Sequence, residues 1–272
     1  MQRVIRFLTK LLGWVSPKLG GRLAYFFFFK SFKLKSHPLD LEKKKQGVKL
    51  DFVVAGKKTS TWYWGSGPVI LLVHGWGSKG FHYRKFIDPL VQQGYTVAIP
   101  DLPGHVSSEG SSSNVLEFKA TIEAIQQHFG EIYALVGHSL GAMACILFLA
   151  ENRTVVRKLV VANSAAYAET IMDRYMEQIG GNQRIKTALL QRLKQTFDED
   201  FSNYSTYNII QTITNLPEML VVGDRNDPEV SIAEVKSFAK LTQAKLIETS
   251  GLGHNNGLKD DKVVDQIVEF LA

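Results

Sequence analysis

Along most of the chain, short unbroken apolar runs alternate with amphipathic stretches. Val69-Ile70-Leu71-Leu72-Val73, Tyr95 to Ile99, Glu131 to Val136, Val156 to Val161, Met219 to Val222 and Ala244 to Glu248 are such runs. Each is short for a helix, and a continuous apolar run of that length predicts a strand covered on both faces. Between them, Phe81 to Gln93, Asn114 to Phe129, Ala142 to Ala150, Val230 to Leu241 and Asp260 to Leu271 predict helices. Val48 to Val54 and Thr59 to Trp64 predict two paired strands around Gly56-Lys57-Lys58. Strictly alternating strands and helices imply an α/β fold, a mostly parallel eight-stranded sheet with helices on both faces.

Two stretches leave this rhythm. Asn163 to Asn215 has helical patterns at Ala168 to Gln178 and Ile185 to Phe197 and no strand run. It is too long for a simple crossover and reads as a helical lid, at about 163–215, over the strand ends. Asp198-Glu199-Asp200 within it reads as solvated surface. At the other end, Val4, Ile5, Leu8, Leu11, Leu12 and Val15 fall at helical spacing with Arg3, Arg6 and Lys10 between them. Pro17 and Gly20-Gly21 should break that helix, before the apolar run Leu23 to Phe29. Lys43-Lys44-Lys45 reads as a solvated loop. The organisation expected is a basic helical extension over 1–45, followed by an α/β domain over 46–272.

Charge sharpens that division. The net charge of +6 is carried by the N-terminus: residues 1–45 hold eleven Lys/Arg and two Asp/Glu, leaving 21 basic and 24 acidic residues in the rest. A mildly acidic body argues against nucleic-acid binding. The apolar runs of residues 1–35 fall short of the roughly 18 residues of a spanning helix, and no small-residue cleavage site follows them. Two readings of this segment stay open: a helical hairpin packed on the protein, or an in-plane contact with anionic headgroups. The single cysteine, Cys145, excludes an internal disulfide. That suits a reducing compartment, so a cytoplasmic protein is expected, peripheral at the inner membrane face on the second reading.

The chemistry gathers at the junctions. Gly137-His138-Ser139-Leu140-Gly141 is a G-x-S-x-G at a strand-to-helix turn, which exposes the middle residue as a nucleophile. Of the seven histidines, His254, in the glycine-rich loop after the last strand, is best placed to act as base. His138 is expected to line the pocket, and His74 and His105 to brace their loops. Asp224 and Asp227 both follow the preceding strand, and either is a candidate for the acid that orients the base. The backbone N–H groups of Trp76 and Leu140 are the candidate oxyanion donors. Gly75-Trp76-Gly77-Ser78-Lys79-Gly80 also fits the dinucleotide pattern, with Asp101 after the next strand. That reading leaves Ser139, Asp227 and His254 unused. Metal-binding spacings are absent, and no cofactor is expected.

Four motifs, His74-Gly75-Trp76-Gly77, Asp101-Leu102-Pro103-Gly104-His105, Gly137-His138-Ser139-Leu140-Gly141 and Gly251-Leu252-Gly253-His254, together resemble the α/β-hydrolase fold over residues 47–272. The chain resembles uncharacterised, esterase-like bacterial α/β hydrolases whose acid strand ends in D-x-x-D-x-E-V, here Asp224 to Val230. The resemblance implies a Ser139–Asp227–His254 triad, with Asp224 shaping its loop. It implies a serine hydrolase acting on a carboxylic ester or thioester, here with a hydrophobic acyl group. Action on an amide or carbon–carbon bond, and a non-catalytic binding protein, are the alternatives. Val106 and Ser231 depart from the family's usual glycine and proline. Ser139, rather than a carboxylate, disfavours the dehalogenase branch.

Overall fold

The computed structural model describes residues 2–151 and 156–272. Its elements run α1 (Gln2–Val15), α2 (Pro17–Phe28), α3 (Pro38–Gln46), β1 (Val48–Val54), β2 (Lys57–Trp64), β3 (Val69–Val73), α4 (Arg84–Gln92) and β4 (Thr96–Pro100). Then come α5 (Val115–Phe129), β5 (Ile132–His138), α6 (Leu140–Glu151), β6 (Lys158–Ala162), α7 (Ala168–Ile179), α8 (Gln183–Phe197) and α9 (Thr206–Ile209). The chain closes with β7 (Glu218–Asp224), α10 (Ile232–Thr242), β8 (Lys245–Thr249), α11 (Gly253–Asn256) and α12 (Asp261–Leu271).

All the strands expected from the apolar runs form, and they make one eight-stranded sheet in the order β1-β2-β4-β3-β5-β6-β7-β8. β1 pairs antiparallel with β2, and β2 with β4; every later pairing is parallel. β3 lies between β4 and β5, so the chain leaves it first to one side and then to the other. The carboxyl ends of β3 and β5 are therefore the topological switch point, where open α/β sheets bind ligands. β3 is buried along its whole length, as its unbroken apolar run requires. α6 is buried at every residue from Gly141 to Leu149, so a helix apolar on all sides is covered on all sides.

The chain forms two compact units, one of residues 31–165 and 210–272, the other of residues 1–30 and 166–209. The first holds the sheet. Its core joins Ile70, Leu72, Val97, Val136, Val160 and Leu220 with residues of α4 and α12. The second unit packs α2 on α8 and α1 on α7 around Ala24, Met172, Met176, Ile185, Leu189 and Leu193.

Two local expectations are overturned. Gly20-Gly21 does not break the helix; α2 runs straight through it. A Cβ on Gly21 would lie 2.7 Å from Ala188 Cβ, and one on Gly20 2.9 Å from Ile185 Cγ1. The bare Cα atoms let α2 lie close against α8, which offsets a propensity cost of about 1 kcal/mol per glycine. Nor are Lys43-Lys44-Lys45 a solvated loop. They form the last turn of α3, which a reciprocal His37–Asp40 capping box starts. Lys44 is nearly buried, pairs with Asp101 at 2.9 Å and lies 3.8 Å from the centroid of the Trp62 ring. Among the described residues no helix is long and apolar enough to cross a membrane.

Candidate active site

Ser139 alone joins β5 to α6, with φ +51°. A side-chain-bearing residue held in this left-handed region costs on the order of 1–3 kcal/mol, so its surroundings must fix it. They do so on three sides. Ser139 N–H donates to Ala162 O at 2.9 Å, and its carbonyl accepts from Ala142 N–H at 3.0 Å and from Ser164 Oγ at 3.0 Å. Both flanking glycines are required by contact. A Cβ on Gly137 would overlap Ala142, and one on Gly141 would overlap the carbonyl of Val73. Leu140, the other elbow position of interest, begins α6, so its N–H lies at the positive end of that helix.

The loop after β3 passes against the elbow. A Cβ on Gly75 would sit 3.0 Å from Ser139 Cβ, which puts Trp76 one residue beyond that approach. Two histidines brace this loop to the one after β4. His74 Nε2 accepts from Leu102 N–H at 3.0 Å, so its Nδ1 carries the proton and donates to Gly75 O at 2.8 Å. His105 Nε2 accepts from Gly77 N–H at 3.1 Å, and its Nδ1–H donates to Pro103 O at 2.9 Å. Burial lowers the pKa of both rings, which keeps them neutral and leaves one nitrogen free to accept. The Trp76 ring stacks on Phe118 and meets His105 edge-on. Val106, where the resemblance led us to expect glycine, takes φ +37°; the turn keeps a glycine-like shape under strain.

Asp227 and His254 come together from the loops after β7 and β8. His254 Nδ1–H donates to Asp227 Oδ2 at 2.8 Å, and both side chains are buried. Asp227 Oδ1 accepts from the N–H groups of Glu229 at 2.6 Å and Val230 at 3.0 Å. Burial alone would raise this carboxyl. The hydrogen bonds from His254 and Asn163 outweigh it and bring the pKa down to about 2. Asp224 has a different task. It accepts from Thr249 Oγ1 at 2.7 Å, Leu252 N–H at 3.0 Å and Asn226 N–H at 2.8 Å, binding together the two loops that carry Asp227 and His254.

Three contacts were not foreseen from the sequence. Asn163, at the end of β6, is buried with φ +47°, and its Nδ2 donates to Asp227 Oδ2 at 2.8 Å. Asparagine tolerates the left-handed region, but nothing in its local sequence points to a partner 64 residues away. His138 Nε2–H donates to the backbone carbonyl of His254 at 2.7 Å, which ties the His254 loop to the residue before Ser139. Burial, then the neighbouring His254, lowers the His138 pKa to about 3. The carboxylate of Glu229 stands 3.7 Å from His254 Nε2.

Asp101, the acid the dinucleotide pattern would turn toward a ribose, is buried and held by Lys44 and by Gly80 N–H. Among the described residues no group of three or more His, Cys, Asp or Glu is placed to hold a metal ion.

Comparison with known proteins agrees with this architecture. The chain is 40% identical over 103 residues to the magnesium-chelatase 30 kDa subunit of Rhodobacter capsulatus, a match covering 36% of this chain and 35% of that subunit. It is 26% identical over 239 residues to the soluble epoxide hydrolase of Corynebacterium sp. (strain C12), covering 79% and 80% of the two chains. A pimeloyl-[acyl-carrier protein] methyl ester esterase of Vibrio atlanticus (strain LGP32) is 34% identical over 117 residues, 40% of this chain and 43% of that one. The chain thus spans about a third of the first of these relatives and less than half of the third. The esterase Pf2001 of Pyrococcus furiosus superposes with a TM-score of 0.67 at 19% identity, covering 89% of this chain and 95% of that structure. The family model described as alpha/beta hydrolase fold matches residues 68–216, more than half of the sequence, and the chain belongs to that family.

Proposed function

We propose that this α/β-hydrolase is a serine esterase or thioesterase working through an acyl-enzyme, with Ser139, His254 and Asp227 as its triad. The observation that carries the reading is the buried His254–Asp227 hydrogen bond of 2.8 Å at the strand ends, on a loop whose His254 carbonyl is bonded by His138, the residue before a serine held at φ +51°. With Asp227 ionised and accepting from Nδ1–H, the neutral imidazole has its lone pair on Nε2. In the first half-reaction Nε2 takes the Ser139 proton as Oγ attacks the acyl carbon. The N–H groups of Trp76 and Leu140 stabilise the oxyanion. Collapse breaks the acyl–oxygen or acyl–sulfur bond, and Nε2 returns the proton to the departing alcohol or thiol. Water repeats the sequence on the acyl-enzyme: it gives its proton to Nε2, and the carboxylic acid leaves as Ser139 is reprotonated.

The helical segment at 163–215 is read as a lid favouring a hydrophobic acyl group, and residues 1–35 as a peripheral membrane contact. A panel of p-nitrophenyl esters from acetyl to dodecanoyl, run on wild type and Ser139→Ala together, tests the chemistry. Turnover is expected to fall by several orders of magnitude in the variant, on the order of a million-fold if the triad acts as a unit. Equal turnover in the two proteins overturns the assignment.

A further inference from the structure

α1 is amphipathic in the wrong sense for a helix packed in a globular protein. Its small and polar positions, Thr9 and Gly13, are the buried ones. A Cβ on Gly13 would lie 2.7 Å from Asn182 Nδ2, so α1 is pressed inward on that narrow face. The broad apolar face, formed by Val4, Phe7, Leu8, Leu11, Trp14 and Val15, points to solvent. Trp14 is 84% exposed, Val15 75% and Phe7 66%. α2 repeats the arrangement: Gly20, Gly21 and Ala24 are buried while Leu19 and Phe26 are exposed. A contiguous apolar face of this kind marks an interaction site.

The charges beside it select the partner. Arg3, Arg6 and Lys10 border the α1 face and are exposed, Lys18 and Arg22 lie exposed on α2, and residues 1–30 contain no Asp or Glu. A second copy meeting this face with its own would bring two uncompensated cationic rims together. An anionic bilayer takes the apolar side chains and the cations at once, with the amphipathic Trp14 ring at the headgroup boundary.

We propose that the outward face of α1, extended by Leu19 and Phe26 of α2, lies in the plane of an anionic membrane surface. The proposal rests on the reading of residues 1–35 as a peripheral contact and is independent of the serine chemistry.

The test mixes the full chain with phosphatidylcholine vesicles, with or without phosphatidylglycerol, at low salt. Pelleting with the anionic vesicles is expected, together with a blue shift of tryptophan emission that Trp14→Phe removes. Phe7→Ser combined with Trp14→Ser should lower partitioning at least tenfold, and Arg3→Glu with Lys10→Glu should lower it comparably. Failure of the wild type to pellet overturns both this face and the peripheral reading. Equal pelleting of Phe7→Ser/Trp14→Ser, with Trp14 emission unmoved, overturns the face and leaves a purely electrostatic contact. A concentration-dependent dimer dispersed by the same variant, without vesicle binding, assigns the face to a second copy instead. Whether Ser139→Ala abolishes ester turnover moves none of these outcomes.

Discussion

Asn163 and His254 share one oxygen of Asp227, and this shared acceptor is where residue-scale design is most visible. Two donors at 2.8 Å on Oδ2, with two backbone N–H groups on Oδ1, leave the carboxylate one orientation. Asn163→Gly is the informative change, because glycine accepts φ +47° without strain while the amide is lost. About 1.4 kcal/mol of lost orientation is tenfold in rate. We expect kcat to fall about tenfold with KM unchanged and the melting temperature little moved; an unaltered kcat would remove Asn163 from the positioning of the proposed triad. The shape of the elbow was legible because Gly137 and Gly141, which it requires, lie two residues either side of Ser139. Asn163 was illegible because its constraint is a partner far along the chain. Val106 shows a related limit: only the backbone angle, φ +37°, shows that this turn holds a side chain in the left-handed region, under strain.

At the scale of elements, the strands were readable because a buried parallel strand is little more than an unbroken apolar run. What the pattern missed depends on neighbours. Gly20-Gly21 reads as punctuation only when α8 is out of view, and α3 begins from a His37–Asp40 box instead of the more familiar Ser or Thr. The close approach of α2 to α8 makes a definite prediction. Gly21→Leu improves helix propensity by up to about 1 kcal/mol, yet its Cβ alone would press on Ala188 at 2.7 Å. Overpacking of this kind costs about 1–3 kcal/mol, so thermal unfolding should move to lower temperature. An unchanged or raised melting temperature would mean that the helices separate without penalty.

For the whole molecule, acid is the condition to which this fold is most exposed. Burial lowers the pKa of His74 and His105, and brings His82 to about 4 and His138 to about 3. An unfolded histidine titrates near 6.5, so below that pH the unfolded chain binds protons that the native state refuses. Each such group removes up to about 1.4 kcal/mol of stability per pH unit. Asp227 behaves differently: its stabilising contribution is complete above its unfolded value and is lost only as pH falls toward about 2. Melting temperature is therefore expected to decline steadily from pH 7 to 5, with proton uptake on unfolding, and His82→Gln should make the slope shallower. A melting temperature flat across that range would show that these rings gain protons in the native state.

The bond from His138 to the backbone carbonyl of His254 separates where residue 254 stands from what it does. Cutting the imidazole back to a methyl group leaves that carbonyl, and the loop it anchors, in place. Asp227 keeps its grip on Asn163 and on the loop amides, and still presents an acceptor to the vacated space. The fold would then hold a mould of its own missing ring, one that a diffusible imidazole fits.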